Sequence, residues 1–190
     1  MRAGGRLIEQ LDLTELGIVL VDDDDNIRWL LRSVLLELGI RDIEEAREGR
    51  DGYAKTLQKR PDVLITNWEM KPDGLELVRR VRLDKDSPNH FLPIIMVSAH
   101  SELERVLKAR DMGVNEFLAK PFTVRGLYLR LHEVIRRPRP FIRTDDYFGP
   151  DRRRRNIAFD GPERRQAQPE KKPAKSPPKA AEQNDSPAGG

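Results

Sequence analysis

The chain has 190 residues, of which 37% are hydrophobic and 35% are charged, and this composition is poor in apolar residues for one compact domain. It contains no cysteine, which excludes disulfide frameworks, thiolate nucleophiles and cysteine-based metal sites. No apolar run approaches the roughly 20 residues that span a bilayer, and no signal-peptide core follows the first basic residues. We therefore expect a cytoplasmic protein that is not inserted in a membrane.

The net charge of +3 is unevenly distributed along the chain. Residues 138–190 hold 12 basic and 8 acidic side chains, a net charge of +4, whereas residues 1–137 hold 23 basic and 24 acidic side chains, a net charge of −1. The basic character thus belongs to the C-terminal part of the chain. This contrast and the motifs below predict four segments: an N-terminal extension (1–15), a globular domain (16–137), an Arg-rich segment (138–165) and a disordered Pro/Lys/Ala-rich tail (166–190).

Apolar and β-branched runs predict five short strands within the globular domain. These runs are Gly17–Val21, Asp42–Ala46, Val63–Thr66, Ile94–Val97 and Glu116–Ala119. The second run is the least apolar of the five, which favours a position at the edge of a sheet.

Each predicted strand is followed by apolar residues at helical spacing. The predicted helices lie over residues 27–38, 53–57, 75–83, 103–109 and 127–135. Strand and helix alternate five times, which predicts an α/β fold with a doubly wound parallel sheet covered by helices on both faces. About 120 residues are enough for such a core to fold alone.

Polar side chains follow four of these strands. Asp22 and Asp23 follow the first strand, Asn67 the third, Ser98 the fourth and Lys120 the fifth. The carboxyl ends of parallel strands lie at one edge of the sheet, where open α/β proteins bind their ligands. The sequence therefore predicts a pocket at this edge.

The motifs around these residues identify a family. They are Val21-Asp22-Asp23 with Arg28, Trp68-x-Met70 with Asp73-Gly74, Val97-Ser98-Ala99, and Phe117 followed by Lys120-Pro121-Phe122. Together they resemble the receiver domain of two-component response regulators, the CheY-like fold, over about residues 16–137. The resemblance implies a flavodoxin-like (βα)5 sheet with strand order 2-1-3-4-5 and a role in phosphorelay signalling rather than an enzyme.

In that family a histidine kinase passes a phosphoryl group to an aspartate after the third strand, and catalysis is mostly positioning and charge neutralisation. The resemblance makes Asp22 and Asp23 the acidic pair. Asp23 would bind Mg²⁺ directly, together with the residue at position 67 and the backbone carbonyl of Glu69, since Mg²⁺ prefers oxygen ligands.

The remaining roles follow from the same resemblance. Ser98 would be the switch hydroxyl, Lys120 the amine that binds the phosphoryl group, and Phe117 either the switch aromatic or a core residue. The Lys120–Pro121 peptide bond is often cis in this family, and proline makes that isomer accessible. We also expect Trp68 to be a partly exposed aromatic beside the pocket.

The sequence departs from the family at the phosphoacceptor position, which is Asn67. A neutral amide oxygen is a poor nucleophile and a weaker ligand for Mg²⁺ than a carboxylate. The following loop, Met70–Gly74, is one residue shorter than usual, with its proline displaced. These departures predict a pseudo-receiver that binds Mg²⁺ weakly or not at all, with Lys120 bridging to Asp23 or to the Asn67 amide. An alternative is phosphorylation of another carboxylate such as Asp73.

The Arg-rich segment contains the motif Gly-Pro-acid-Arg-Arg twice, at Gly149–Arg153 and Gly161–Arg165. Three interpretations remain open: a solvated basic tail, a peptide that docks on a protein partner, or an anion site. Arginine forks match phosphate geometry, so the third predicts binding of a cyclic dinucleotide or RNA. Its candidate residues are Arg152, Arg153, Arg154, Arg155, Arg164 and Arg165.

Two functions are thus predicted. The first is a single-domain signalling module that contacts a histidine kinase or another signalling protein, or a second copy of itself, through the face formed by helix four, strand five and helix five. The second is a nucleotide or nucleic-acid effector in which the tail is the sensor and the globular domain is the scaffold.

Overall fold

The structure is a computed structural model, and it describes residues 11–71, 73–153 and 168–170. Five strands and five helices alternate over the globular domain. In chain order they are β1 (Gly17–Val21), α1 (Asp25–Glu37), β2 (Asp42–Ala46), α2 (Gly49–Lys59), β3 (Val63–Asn67), α3 (Gly74–Leu83), β4 (Ile94–Ser98), α4 (Leu103–Asp111), β5 (Glu116–Ala119) and α5 (Val124–Arg136).

The strands form one parallel sheet with the order β2-β1-β3-β4-β5, which confirms the predicted fold class and places β2 at an edge. Side chains alternate across each strand, so a central strand supplies both cores. In β1, Val19 and Val21 face a core shared with α2 and α3, whereas Ile18 and Leu20 face a core shared with α1 and α5.

Residues before the predicted domain also take part in the fold. Leu13, assigned to the N-terminal extension, is buried in the core that α1 and α5 cover. The backbone N–H of Leu11 donates a hydrogen bond to the Tyr128 hydroxyl of α5 at 3.3 Å. The packed unit therefore begins several residues before the predicted boundary at residue 16.

A second, antiparallel sheet follows α5. It contains β6 (Phe141–Thr144), β7 (Tyr147–Pro150) and β8 (Gln168–Glu170) in the order β7-β6-β8. The sequence predicted no strand here, and β8 lies within the segment predicted to be disordered. The pairing of β8 with β6 uses backbone hydrogen bonds, which require no apolar side-chain pattern and so leave no such signal in the sequence.

The β6–β7 hairpin packs against the amino ends of β4 and β5, at the opposite edge of the sheet from the predicted pocket. Phe141 and Phe148 are buried and pack against Phe91. The centroid of the Phe91 ring lies 5.0 Å from that of Phe141 and 5.4 Å from that of Phe148. Close backbone contact requires glycine at this junction, since a Cβ on Gly149 would lie 2.8 Å from the Gly113 Cα. The hairpin is thus part of the folded unit rather than a free tail.

Arg82 of α3 is the charged centre of this junction. Its side chain is almost fully buried, and its guanidinium donates to the backbone oxygens of His90, Leu92 and Gly113 at 2.8–3.0 Å and to Asn115 Oδ1 at 2.9 Å. Burial lowers the pKa of Arg82 to about 9, so the group is still a cation at neutral pH. One side chain therefore ties the end of α3 to the starts of β4 and β5.

Helix α4 is the least buried of the five helices, with Ala109 as its one buried residue. Leu103 is 72% exposed and Leu107 is also exposed, although both lie at the apolar spacing that predicted the helix. No helix in the described ranges has the length and apolar character needed to cross a bilayer.

Candidate functional site

The predicted pocket forms at the carboxyl edge of the parallel sheet. The strand register pairs Val21 with Thr66 and Asn67 with Val97, so the residues that end β1, β3 and β4 lie side by side. The backbone N–H of Lys120 donates to the Ser98 carbonyl at 2.8 Å, which brings the end of β5 to the same place.

Asn67 is the centre of a closed hydrogen-bond network. Its amide nitrogen donates to Asp22 Oδ1 at 3.2 Å and to Asp23 Oδ1 at 3.1 Å, and its amide oxygen accepts from Lys120 Nζ at 3.1 Å. Both N–H groups and the oxygen of the amide are therefore engaged within the pocket. The predicted bridge from Lys120 to the Asn67 amide is present.

Lys120 and Asp22 form a buried ion pair at the base of the pocket. Lys120 Nζ lies 3.0 Å from Asp22 Oδ2, and the Asp22 side chain has no exposed surface. Lys120 thus pairs with Asp22 rather than with Asp23, the predicted alternative, because Asp22 points into the sheet edge whereas Asp23 is exposed. Burial raises the pKa of Asp22, and the Asp24 backbone N–H and the Lys120 ammonium act in the opposite direction.

Two further contacts fix the backbone around the pocket. Arg28 of α1 donates from its buried guanidinium to the Asp22 carbonyl oxygen at 2.8 Å. Gly74 opens α3 directly against β3, where an added Cβ would lie 2.0 Å from the Asn67 carbonyl oxygen. Asp73 caps this helix by accepting from the Leu75 N–H at 2.8 Å, so its carboxylate serves the helix terminus rather than the pocket.

Ser98 is fully buried at the end of β4 and bonds to a carboxylate that the sequence analysis did not single out. Its hydroxyl donates to Glu69 Oε1 at 2.5 Å and accepts from the His100 N–H at 3.0 Å. Glu69 Oε1 also lies 3.4 Å from the Arg105 guanidinium of α4. The loop after β3 is thereby linked to both β4 and α4.

The model of the response regulator receiver domain family matches residues 18–132. The chain belongs to the response regulator receiver family.

The relatives of this receiver include chemotaxis proteins. A chemotaxis protein CheY homolog from Campylobacter jejuni is 37% identical over 121 residues, covering 62% of this chain and 91% of the relative. The solved structure of Vibrio cholerae chemotaxis protein CheY4 has a TM-score of 0.58 at 30% identity, over 63% of this chain and 98% of that one. A putative response regulator from Chloroflexus aurantiacus has a TM-score of 0.59 at 29% identity, over 64% and 98%.

The carboxylate oxygens of the receiver pocket are largely engaged by groups of the protein itself. Asn67 turns its amide nitrogen toward both aspartates, and the Lys120 ammonium occupies one oxygen of Asp22. Within the described residues, no cluster of three or more acidic or histidine side chains could hold a metal ion. Amide and backbone oxygens are not part of such a cluster, so the predicted ligand set of Asp23, Asn67 and the Glu69 carbonyl, with weak binding of Mg²⁺, stays a prediction.

Two aromatic residues, Trp68 and Phe117, lie near the receiver pocket. Trp68 is 7% exposed, whereas a partly exposed position was expected; it packs in the core beneath α4, with the Arg105 guanidinium 5.3 Å from its ring centroid. Phe117 is half-buried and packs against the same core, and its switch role stays a prediction. The Lys120–Pro121 bond is cis, as the resemblance implied.

The tail arginines fall into two groups. Arg152 contacts the hairpin and the end of α4, with its guanidinium 4.1 Å from the Tyr147 ring centroid and its Nε 3.2 Å from Asp111 Oδ1. Arg153 is exposed and also has a partner. The other four candidates for the anion site, Arg154, Arg155, Arg164 and Arg165, lie outside the described residues. Arg152 is therefore already in contact with other groups of the protein, and its part in an anion site stays a prediction.

The sequence indicated the pocket residues but not the link through Glu69 and Arg105. The family resemblance assigns a role only to the backbone carbonyl of Glu69. Arg105 lies 36 residues away in the chain, on a helix whose charged side chains are spaced as in an ordinary solvent-exposed helix face. Only the folded contact between the β3–α3 loop and α4 brings the two together.

Proposed function

We propose that this receiver signals through protein contacts without being phosphorylated. Asn67 carries the proposal, because its amide donates to both acidic residues and accepts from Lys120 in one network. Phosphoryl transfer needs a nucleophilic carboxylate at this position. The Asn67 amide offers a neutral oxygen that already accepts a hydrogen bond from Lys120. The lone pair of the amide nitrogen is delocalised into the carbonyl group, so the nitrogen is not a nucleophile either.

Charge balance supports the same proposal. Asp22 and Asp23 carry two negative charges; the Lys120 ammonium offsets one of them, and the two N–H groups of the Asn67 amide donate to both carboxylates. An aspartate at position 67 would place a third carboxylate there and would need a divalent cation to offset it. The asparagine removes this need, so the pocket keeps one arrangement with or without Mg²⁺.

Partners are proposed from the exposed apolar side chains. Leu103 and Leu107 of α4 and Val124 of α5 lie exposed on the two helices beside β5, the face predicted to contact a kinase, another signalling protein or a second copy of the chain. If that face forms a homodimer, Leu107→Glu shifts the mass measured by light scattering toward the monomer. Leu57→Glu, at an equally exposed site on α2, leaves the mass unchanged.

The proposal is tested by titrating the protein with Mg²⁺ and beryllofluoride, a phosphoryl analogue, while following Trp68 fluorescence. The chain has two tryptophans, so the titration is made in a Trp29→Phe background. We expect no saturable change with Asn67 present and a saturable change in Asn67→Asp. Saturable binding by the Asn67 protein at the concentrations that saturate the aspartate variant would contradict the proposal.

A further inference from the structure

The Ser98 hydroxyl donates its single proton within the protein. The bond from its hydroxyl to Glu69 Oε1 is 2.5 Å long, which is typical of a hydroxyl bound to a charged carboxylate. The oxygen also accepts from the His100 N–H. A hydroxyl that is fully buried and bonded in this way is not free to bind a phosphoryl oxygen.

Glu69 extends this contact to α4. The same oxygen, Oε1, faces the Arg105 guanidinium at 3.4 Å, and that guanidinium lies over the ring of buried Trp68. The Lys108 ammonium of α4 lies 6.0 Å from the centroid of the same ring. Three residues of α4 and its preceding loop contact Trp68, Glu69 or Ser98, although Ala109 is the one residue that α4 buries in the core. Because α4 buries only Ala109 in the core, the Glu69 link is one of the contacts that set its position.

We propose that the Glu69 carboxylate is a built-in anionic ligand of the Ser98 hydroxyl and holds α4 in one position. This inference rests on the proposed function and extends it. Asn67 removes the phosphoacceptor, and Glu69 occupies the hydroxyl that would bind the transferred group. Glu69 is thus a positioning residue, and restoring aspartate at position 67 restores only half of a working pocket.

The first test does not involve phosphate. In a Trp29→Phe background, acrylamide quenching of Trp68 is compared among Glu69→Ala, Ser98→Ala and the double variant. We expect Glu69→Ala to increase quenching and Ser98→Ala to add nothing further once Glu69 is absent. Glu104→Ala, an exposed glutamate on α4, is the matched control and leaves quenching unchanged. Additive effects of the two substitutions would show that the residues do not act as a pair.

The second test uses a readout that a purely structural role would not move. Acetyl phosphate and Mg²⁺ are added to Asn67→Asp, to Asn67→Asp/Glu69→Ala and to the Asn67→Asp/Glu104→Ala control. Freeing Ser98 from a charged partner is expected to raise phosphoryl uptake about tenfold in the Glu69 variant alone. Equal uptake in all three proteins, including no uptake in any, would overturn the inference. Uptake by the Asn67 protein would instead overturn the proposed function.

Discussion

At the scale of single residues, asparagine in place of aspartate at position 67 puts a hydrogen-bond donor where the family has a carboxylate oxygen. The Asn67 amide nitrogen faces one oxygen of each aspartate at 3.1–3.2 Å, where a carboxylate oxygen would repel both. We therefore predict that Asn67→Asp lowers the free energy of unfolding by about 1–3 kcal/mol without metal. Added Mg²⁺ is expected to raise the thermal midpoint of this variant and to leave that of the Asn67 protein nearly unchanged. Equal shifts in differential scanning calorimetry would contradict this.

The Lys120–Asp22 pair gives a prediction that depends on pH. Lys120→Met leaves an ionised carboxylate buried without its cation, so at neutral pH the free energy of unfolding falls by about 3–5 kcal/mol. Burial already raises the pKa of Asp22, and removal of the ammonium raises it further. A carboxyl group with a raised folded pKa stabilises the fold as pH falls through that pKa, because folding then favours protonation.

The difference between Lys120→Met and the wild type should therefore shrink in mildly acidic urea titrations. Lys85→Met, at an exposed loop position, is the control and is expected to show no such pH dependence. A deficit in Lys120→Met that stays constant from neutral to acidic pH would show that the ammonium does not compensate Asp22.

At the scale of elements, the end of α3 depends on one buried cation. Arg82 donates to three backbone carbonyls and to the Asn115 side chain, and each carbonyl left without a donor costs about 1–3 kcal/mol. We predict that Arg82→Met lowers the free energy of unfolding by at least about 3 kcal/mol in urea titrations. Arg79→Met, which loses only an exposed pair with Glu76, should change it by less than about 1 kcal/mol. Equal losses would contradict the assignment.

The sequence predicted the parallel sheet well because its strands are short apolar runs that end in polar residues or turns. The same pattern located Asp22, Asn67, Ser98 and Lys120 at one edge, and the structure brings them together. The hairpin was missed because its two buried phenylalanines stand among arginine, proline and aspartate, a composition typical of solvated segments. Arg82 was missed for a similar reason, since an arginine near the end of a helix usually lies in solvent.

At the scale of the whole molecule, the hairpin determines where the chain can be shortened. A chain ending at Arg137 loses Phe141 and Phe148 and exposes Phe91, whereas a chain ending at Arg153 keeps this cluster. Burial of two phenylalanines is worth roughly 3–6 kcal/mol. We predict a loss of about that size for the shorter chain and a clearly smaller one for the longer chain, which gives up only the pairing of β8 with β6, measured by urea unfolding. Similar stability of the two would show that the hairpin does not support the domain.

The same truncation separates the two predicted functions. The chain ending at Arg153 keeps the parallel sheet, its helices and the β6–β7 hairpin, but it lacks β8 and four of the six candidate arginines for an anion site. If the full chain binds a cyclic dinucleotide or RNA and the truncated chain does not, the tail is a sensor. If neither binds, the prediction of a nucleotide or nucleic-acid effector is wrong.

The measurement that tests the central claim most directly is intact mass spectrometry after incubation with acetyl phosphate and Mg²⁺. The account predicts that the protein with Asn67 keeps its unmodified mass, whereas Asn67→Asp/Glu69→Ala gains one phosphoryl group, mapped to position 67 by peptide analysis. A phosphoryl group on the Asn67 protein, at Asp73 or at any other carboxylate, would contradict it.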